Sequence, residues 1–242
     1  MTTNLPQARP PSRLATMLEA RAPLDWATVL LRAPQLASAP RGDGRPVVLL
    51  PGYGSDEISM RPLGKYLDFL GYDVHEWGIG RNRGNVEAYV QRIGEFSGDI
   101  QRQSGNSVTL VGWSLGGVVA RETARLFEPC IREVITMGTP IVGGPKYTAV
   151  AARFAEQSGI DLDAFELEVH ERNLIGLRQP ITAIYSKSDG VVGWRACIDV
   201  YNEHARNIQV RSSHFGMGAS LSLIHISEPT RPMKESRLPS SG

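Results

Sequence analysis

Short apolar segments alternate with amphipathic segments along most of the chain, and this alternation limits the possible folds more than any other feature. Residues 47–50 form a continuous apolar run, which is typical of a strand buried on both faces of a sheet. Five further segments have the character of strands, at residues 72–77, 107–113, 133–137, 181–186 and 207–211. Helices are predicted at residues 58–70, 86–103 and 115–127. When strands and helices alternate, the strands pair in parallel and the helices form right-handed crossovers between them. The sequence therefore predicts an α/β fold with a doubly wound, mostly parallel sheet of about six strands.

The composition excludes several functional classes. The 242 residues carry 26 Lys and Arg against 25 Asp and Glu, so the formal net charge is +1. This balance disfavours a basic nucleic-acid-binding protein, and we expect no nucleic-acid partner. No apolar run approaches the roughly 18 residues of a membrane helix, so no transmembrane segment is expected. The first residues lack the apolar core of a secretion signal, which predicts a cytoplasmic protein.

The two cysteines exclude a disulfide-stabilised miniprotein and a zinc site built from four thiolates. Cys130 is expected at the bottom of the sheet and Cys197 near its top. At that separation the two side chains are too far apart to form a disulfide.

The segment at residues 112–116 reads Gly-Trp-Ser-Leu-Gly and lies between a predicted strand and a predicted helix. A G-x-S-x-G pattern in this position is typical of a nucleophile elbow, a tight turn that exposes its serine above the sheet. The strained backbone of such a serine requires small neighbours, which Gly112, Gly116 and Gly117 provide. Ser114 is therefore the candidate nucleophile. The alternative is a glycine-rich turn with an incidental serine.

A serine hydroxyl needs an adjacent base to act as a nucleophile at neutral pH. His214 directly follows the last predicted strand, which is where a base above the sheet is expected. Other histidines fit structural positions better. His75 lies within a strand, His170 on an acidic helix face that we expect to be solvated, and His204 in a polar segment.

The acid that orients the base is expected at the end of a strand between the serine and the histidine. Asp189 meets this condition, because it lies in the turn after the strand at residues 181–186. Asp199 is the second choice, and Asp161 and Asp163 lie in an insertion. The alternative for Asp189 is an ordinary Asp-Gly turn.

Two backbone N–H groups are expected to form the oxyanion hole. One belongs to Leu115, which directly follows the candidate nucleophile. The other is expected from Tyr53, because Gly52 and Gly54 on either side let the backbone approach a substrate closely. The alternative for this loop is a plain tight turn between strand and helix.

From about residue 44 to residue 218 the chain resembles α/β-hydrolases of the bacterial lipase and esterase type. Four segments carry the resemblance, at residues 47–54, 112–117, 186–194 and 213–218. Segments at residues 71–78 and 193–197 resemble a compact bacterial subgroup without a large cap. The chain order Ser114, Asp189, His214 is that of the superfamily.

Two residues bear on which members of the superfamily the chain resembles. Pro51 stands where many lipases have a histidine before the oxyanion glycine. Ser114 argues against haloalkane dehalogenases and epoxide hydrolases, whose elbows carry aspartate.

An insertion at residues 143–179 predicts a small helical lid, with helices at residues 147–155 and 162–171. Three lid side chains are expected to face the site, namely Phe154, Phe165 and Leu167. An apolar acyl surface is predicted from Tyr53, Trp113, Ile141, Trp194, Phe215 and Met217. The alternative for most of these side chains is an ordinary position in the core.

These residues together predict a serine carboxylic-ester hydrolase, either an esterase or a lipase. It would act on uncharged small-molecule or lipid esters through a Ser-His-Asp triad and an acyl-enzyme intermediate. No metal and no organic cofactor is predicted. The same apparatus fits an acyltransferase or a thioesterase, and a non-catalytic binding module on this fold is an alternative of a different class. The natural ester, its acyl-chain length and the oligomeric state are left open.

The two ends of the chain differ from the central domain at residues 45–220. Residues 1–44 predict an extension with short helices at residues 12–22 and 24–33, the first capped by Ser12. Residues 221–242 resemble translated sequencing-adapter sequence, which suggests a truncated metagenomic reading frame. This tail replaces an expected amphipathic helix, and we expect an exposed sheet face and lower stability.

Overall fold

The protein is built around a sheet of six parallel strands. A computed structural model describes residues 7–22 and 41–218 of the chain. The strands are β1 (Pro46–Leu50), β2 (Asp73–Glu76), β3 (Val108–Trp113), β4 (Ile131–Met137), β5 (Ile181–Ser186) and β6 (Arg206–Val210). Their spatial order is β2-β1-β3-β4-β5-β6, with each neighbouring pair parallel. The predicted doubly wound α/β fold is confirmed, and each predicted strand matches an observed one within two residues at either end.

Seven α-helices accompany the sheet within the described residues. They are α1 (Arg13–Met17), α2 (Arg61–Phe69), α3 (Val86–Ser104), α4 (Leu115–Leu126), α5 (Ala151–Ser158), α6 (Leu162–Leu174) and α7 (His214–Met217). Five single turns of 3₁₀-helix lie at Leu18–Arg21, Glu57–Met60, Glu128–Cys130, Gly144–Tyr147 and Trp194–Cys197. Ser12 caps α1 as predicted, since its hydroxyl accepts a hydrogen bond from the N–H of Ala15.

The side chains of the central strands alternate between two apolar cores, one on each face of the sheet. In β1, Val48 and Leu50 belong to one core, which also contains Ile93 of α3 and Val119 of α4. The intervening residues of β1, Val47 and Leu49, belong to the other core, which contains Leu63 and Leu67 of α2. Helices therefore cover both faces, and the loops at the carboxyl ends of the strands are left for a site.

The prediction of a helix at residues 147–155 is wrong at its beginning. The chain forms a 3₁₀ turn over Gly144–Tyr147 instead, and α5 begins only at Ala151. Thr148 has an extended backbone and forms an isolated antiparallel bridge with Val192, which interrupts any continuous helix.

The acidic stretch at residues 166–172 is not the fully solvated helix face that was predicted. Glu166 and His170 are both buried on α6. Glu166 accepts a hydrogen bond from the hydroxyl of Tyr147 at 2.5 Å, and Nδ1 of His170 lies 3.2 Å from the hydroxyl of Tyr201. The prediction failed because the partners come from other parts of the chain.

Within residues 7–22 and 41–218, no helix has both the length and the apolar character needed to cross a membrane. The helix predicted at residues 24–33 and the tail at residues 221–242 lie outside the described residues.

Candidate active site

Ser114 occupies a strained turn between the end of β3 and the start of α4. Its φ of 54° and ψ of −121° make it the one non-glycine residue with a positive φ in the described part of the chain. The turn has no room for larger neighbours. A Cβ atom at Gly116 would lie 2.1 Å from the carbonyl oxygen of Leu50, and one at Gly117 would lie 1.9 Å from Oγ1 of Thr139. This conformation is the one that a nucleophile elbow requires.

His214 and Asp189 form a buried pair. Nδ1 of His214 lies 2.7 Å from Oδ2 of Asp189, and the two residues are 2 % and 3 % exposed. The second carboxylate oxygen, Oδ1, accepts hydrogen bonds from the N–H groups of Val191 and Val192 at 2.8 and 2.7 Å. Both oxygens of Asp189 are thus engaged, which fixes the orientation of the carboxylate and with it the orientation of the imidazole.

A glycine at the end of β4 leaves the space that this pair needs. Gly138 has a φ of +57°, and a Cβ atom there would lie 3.0 Å from Nδ1 of His214 and 3.1 Å from Oδ2 of Asp189. The second-choice acid, Asp199, is engaged elsewhere, because its Oδ2 accepts from Nη1 of Arg121 at 2.6 Å.

The serine turn and the histidine loop are joined through Trp113, the residue before Ser114. Its indole N–H donates to the main-chain carbonyl of His214 at 3.1 Å, and the ring centroids of the two residues are 5.5 Å apart. Gly52 closes the other side, since a Cβ atom there would lie 3.1 Å from Cβ of Ser114. The structure therefore brings the predicted serine turn, the His–Asp pair and the loop after β1 together at one edge of the sheet.

The loop after β1 is held by a buried asparagine that the sequence did not single out. Asn82 donates from Nδ2 to the carbonyl of Pro51 at 2.9 Å and accepts at Oδ1 from the N–H of Gly84 at 3.0 Å. Its main chain also bonds to Gly54 and Ser55, each at 2.8 Å. Asn82 stands between two arginines in the glycine-rich loop at residues 78–84, and no local pattern indicates this role.

The predicted oxyanion donors are the N–H group of Tyr53, in the loop after β1, and that of Leu115, which directly follows Ser114. Within the described part of the chain, neither the N–H of Tyr53 nor that of Leu115 donates to a protein acceptor. Leu115 is the first residue of α4, where backbone N–H groups have no partner inside the helix. Both groups are therefore available to an anionic oxygen.

The predicted acyl surface is only partly accessible. Trp113 is 4 % exposed, and Ile141 and Met217 are buried, which fits the alternative of ordinary core positions; contact of these side chains with substrate stays a prediction. Trp113 ends a central strand and packs in the core that contains α2, which explains its burial. Tyr53 and Phe215, in contrast, are 63 % and 47 % exposed. Trp194 is half-buried and stacks on Tyr185 with a centroid separation of 5.8 Å.

The insertion between β4 and β5 contains the short helices α5 and α6 and is anchored by a polar cluster. Lys146 contacts the carboxylates of Asp163 and Glu166, and these hydrogen bonds raise the pKa of the lysine. Burial, followed by the bond to Glu166, raises the pKa of Tyr147 to about 12. Of the three side chains expected to face the site, Phe165 packs near Gly144, Leu167 is exposed, and Phe154 is half-buried.

A second residue that the sequence analysis missed is Glu19, in the N-terminal extension. Its buried carboxylate accepts hydrogen bonds from the main-chain N–H groups of Gly190, His214 and Phe215. No group of three or more His, Cys, Asp or Glu side chains placed to hold a metal ion occurs among the described residues.

Comparison with known proteins is consistent with this architecture. The chain matches a sequence model of the alpha/beta hydrolase family over residues 22–214. No curated protein matches the sequence at a significant level.

Solved structures with the same fold include three lipase or esterase-related proteins. A lipase-esterase related protein from Clostridium acetobutylicum ATCC 824 is 16 % identical with a TM-score of 0.53, covering 78 % of this chain and 93 % of that one. Bacillus licheniformis lipase BlEst2 in its mature form is 14 % identical with a TM-score of 0.56, covering 77 % and 91 %. A Paleococcus ferrophilus monoacylglycerol lipase is 14 % identical with a TM-score of 0.54, covering 77 % and 95 %. At these identities the structural similarities show the fold alone. The family model, in contrast, matches most of the sequence, so the chain belongs to the alpha/beta hydrolase family.

Proposed function

We propose that the protein is a serine carboxylic-ester hydrolase. The observation that carries the proposal is the 2.7 Å contact between His214 and Asp189, joined through Trp113 to a serine with a φ of 54°. A buried His–Asp pair beside a strained serine is the arrangement that activates a hydroxyl for acyl transfer.

In the proposed reaction, Oγ of Ser114 attacks the ester carbonyl and His214 accepts the hydroxyl proton. The proton goes to Nε2, because Nδ1 of His214 is engaged by Asp189. The negative charge that develops on the carbonyl oxygen is stabilised by the N–H groups of Tyr53 and Leu115.

The tetrahedral intermediate then collapses as the carbon–oxygen bond to the alcohol breaks. His214 returns its proton to the departing alkoxide, which leaves an ester between Ser114 and the acyl group. A water molecule attacks this acyl-enzyme while His214 accepts one of its protons. The carboxylic acid is released when that proton returns to Ser114.

The substrates proposed are uncharged acyl esters. Two aromatic side chains of the site are exposed: that of Tyr53, whose own N–H is a proposed oxyanion donor, and that of Phe215, which follows the proposed base His214. An apolar acyl group would remove part of both rings from water, and apolar burial contributes about 25 cal/mol per Å². The insertion between β4 and β5 contributes helices of 8 and 13 residues and one 3₁₀ turn, which supports a small lid.

The proposal is tested with p-nitrophenyl esters of increasing acyl length, comparing the wild-type protein with Ser114→Ala. We expect the variant to lose at least about 10³-fold in kcat, because the covalent step is removed. Ser104→Ala is the matched control, since Ser104 is an exposed residue at the end of α3. Equal rates for the wild-type protein and Ser114→Ala would contradict the proposal and favour a non-catalytic binding module.

Acyl transfer and thioester cleavage would use the same residues. A reaction with excess alcohol tests for acyl transfer, because an acyltransferase yields a new ester in place of the free acid. An ester and a thioester with the same acyl group, compared as substrates, test for a thioesterase. A preference for short acyl groups would indicate an esterase, and a preference for long ones a lipase.

A further inference from the structure

The carboxylate of Glu19 connects the two loops that carry Asp189 and His214. One oxygen, Oε1, accepts hydrogen bonds from the N–H of Gly190 at 2.7 Å and from the N–H of His214 at 2.8 Å. The other oxygen, Oε2, accepts from the N–H of Phe215 at 3.2 Å. Gly190 follows Asp189 in sequence, so a single oxygen bonds to the histidine itself and to the neighbour of its acid.

The segment that carries Glu19 lies directly against the Asp189 loop. We refer to residues 7–22 as the N-terminal segment. Oγ1 of Thr16 donates to the carbonyl of Gly190 at 2.7 Å. A Cβ atom at Gly190 would lie 2.2 Å from the carbonyl oxygen of Ala15, and one at Gly193 would lie 1.9 Å from that of Arg9. Both glycines are therefore needed for this close approach of two main chains.

A buried carboxylate is costly unless it is hydrogen-bonded, because it has given up its hydration. Glu19 is only 8 % exposed and receives three N–H donors, all from the two loops. Its partners are main-chain groups, so the contact fixes backbone position directly. A carboxylate that served only to attach the N-terminal segment would need no contact with the His214 loop.

Besides the Asp189–His214 contact and Glu19, the side chain of Ser186 links the same loops at their base. Oγ of Ser186, the last residue of β5, donates to the carbonyl of Ser212 at 2.6 Å. Glu19 provides a second link, at the N–H groups of Gly190 and His214 beside the His–Asp contact. Two such links restrict the separation of the loops more than one does.

We propose that Glu19 is a positioning residue for the Ser114–His214–Asp189 triad, holding the Asp189 loop and the His214 loop at a fixed separation through Oε1. The effect on catalysis rests on the proposed function, while the effect on the His–Asp contact does not. Catalytic groups must be held within about 0.5 Å of their productive positions, so a loosened loop lowers the turnover rate without altering substrate affinity. The N-terminal segment is then part of the active-site architecture.

The test compares Glu19→Ala and Glu19→Gln in the full chain. Alanine removes the bridge. Glutamine keeps one oxygen that can bond to Gly190 and His214, while its amide group faces the N–H of Phe215. We expect kcat for p-nitrophenyl esters to fall about 10- to 100-fold in Glu19→Ala with KM changed less than about threefold, and Glu19→Gln to lie between this variant and the wild-type protein.

A second readout needs no substrate. The proton on Nδ1 of His214 in its bond to Asp189 gives a far-downfield ¹H resonance, assigned by its loss in Asp189→Asn. We expect this resonance to broaden or disappear in Glu19→Ala and to be retained, with faster solvent exchange, in Glu19→Gln. Ile93→Val, a conservative change in a fully buried side chain of α3, serves as a control for lowered stability alone.

The inference is overturned if Glu19→Ala keeps the kcat and the resonance of the wild-type protein, or if its losses match those of Ile93→Val at equal melting temperature. If Glu19→Ala does not fold, Glu19→Gln decides through its resonance and its kcat. If the wild-type protein hydrolyses no ester, the proposed function fails, and the resonance still decides whether Glu19 positions the pair.

Discussion

The indole N–H of Trp113 donates to the main-chain carbonyl of His214 across 3.1 Å, joining residues 101 positions apart in the chain. Trp113 is the last residue of β3 and directly precedes Ser114. The bond therefore ties the strand that presents the proposed nucleophile to the loop that presents the proposed base. Trp113 is buried, and this bond gives the His214 loop a fixed point on the sheet.

Trp113→Phe is expected to lower stability and kcat while leaving acyl-chain preference unchanged. Phenylalanine keeps an aromatic ring in the core but leaves the carbonyl of His214 without its donor, which costs about 1–3 kcal/mol. Trp77→Phe is the matched control, because Trp77 is also buried and donates to the carbonyl of Gly80 at 2.9 Å. Melting temperatures and rates on the ester panel check both variants. A changed chain-length preference in Trp113→Phe would instead indicate substrate contact.

Asp189→Asn is expected to lower kcat by about 10³- to 10⁴-fold with little change in KM. The asparagine oxygen is expected to keep the N–H groups of Val191 and Val192, so its NH₂ group faces Nδ1 of His214 and donates to it. The imidazole then carries its proton on Nε2 and cannot accept the serine proton there. Asp199→Asn is the control, because Asp199 is paired with Arg121 and should affect melting temperature more than kcat. Steady-state kinetics of both variants decide which aspartate serves the site. The opposite pattern would transfer the proposed role to Asp199.

The features that the sequence predicted well are those that depend on neighbouring residues. The continuous apolar run Val47–Leu50 reflects burial of β1 on both faces, and the spacing of glycines around Ser114 reflects the space that one turn requires. Both leave a local pattern. The position of Asp189 after β5 follows from the rule that sites form at the carboxyl ends of parallel strands.

The features that the sequence did not predict depend on contacts between distant segments. Glu19 bonds to an amide 195 positions away, and Asn82 to a carbonyl 31 positions away. A glutamate in a short helix and an asparagine between arginines have no local signature for such contacts. Glu166 and His170 were expected on a solvated face for the same reason, since their partners Tyr147 and Tyr201 lie outside α6.

Asn82→Ala is expected to reduce stability by about 1–3 kcal/mol and kcat several-fold. The change removes the donor to Pro51 and the acceptor for Gly84, so the loop with the proposed oxyanion donor Tyr53 keeps only its main-chain bonds to residue 82. Asn82→Asp separates the two bonds, because aspartate still accepts from Gly84 but cannot donate to Pro51. Chemical denaturation and ester kinetics measure the two effects. A variant with wild-type kcat would show that the loop keeps its position without Asn82.

Cys197 is expected to resist thiol reagents in the native protein. Burial raises the pKa of the Cys197 thiol well above its usual value, and the negative charge of Asp189 adds to the effect. The reactive thiolate is therefore scarce near pH 8, and access is blocked as well. Cys130 is partly exposed, so a coloured disulfide reagent should detect one thiol in the native chain and both after unfolding. In Cys130→Ser the native protein should show no rapid reaction with the reagent. A rapid reaction in this variant would mean that Cys197 is accessible.

Two glycine-to-alanine changes are expected to act in opposite directions. In Gly98→Ala, within α3, the new Cβ would lie 3.3 Å from the flexible end of Arg102 and 3.6 Å from Sγ of Cys130. The helix can accept it, and the lower entropy of the unfolded chain should stabilise the protein by about 0.4–1 kcal/mol. Gly116→Ala makes the same chemical change near the start of α4, where the new Cβ would lie 2.1 Å from the backbone oxygen of Leu50.

Since that oxygen belongs to β1, it cannot move without shifting a central strand, so Gly116→Ala should lower both the melting temperature and ester hydrolysis. Thermal unfolding of the two variants, measured together, separates helix propensity from the space required at the Ser114 turn. If Gly116→Ala were as stable as Gly98→Ala, the close packing of α4 on β1 would not be needed to form the turn, and the strained φ of Ser114 would require another cause.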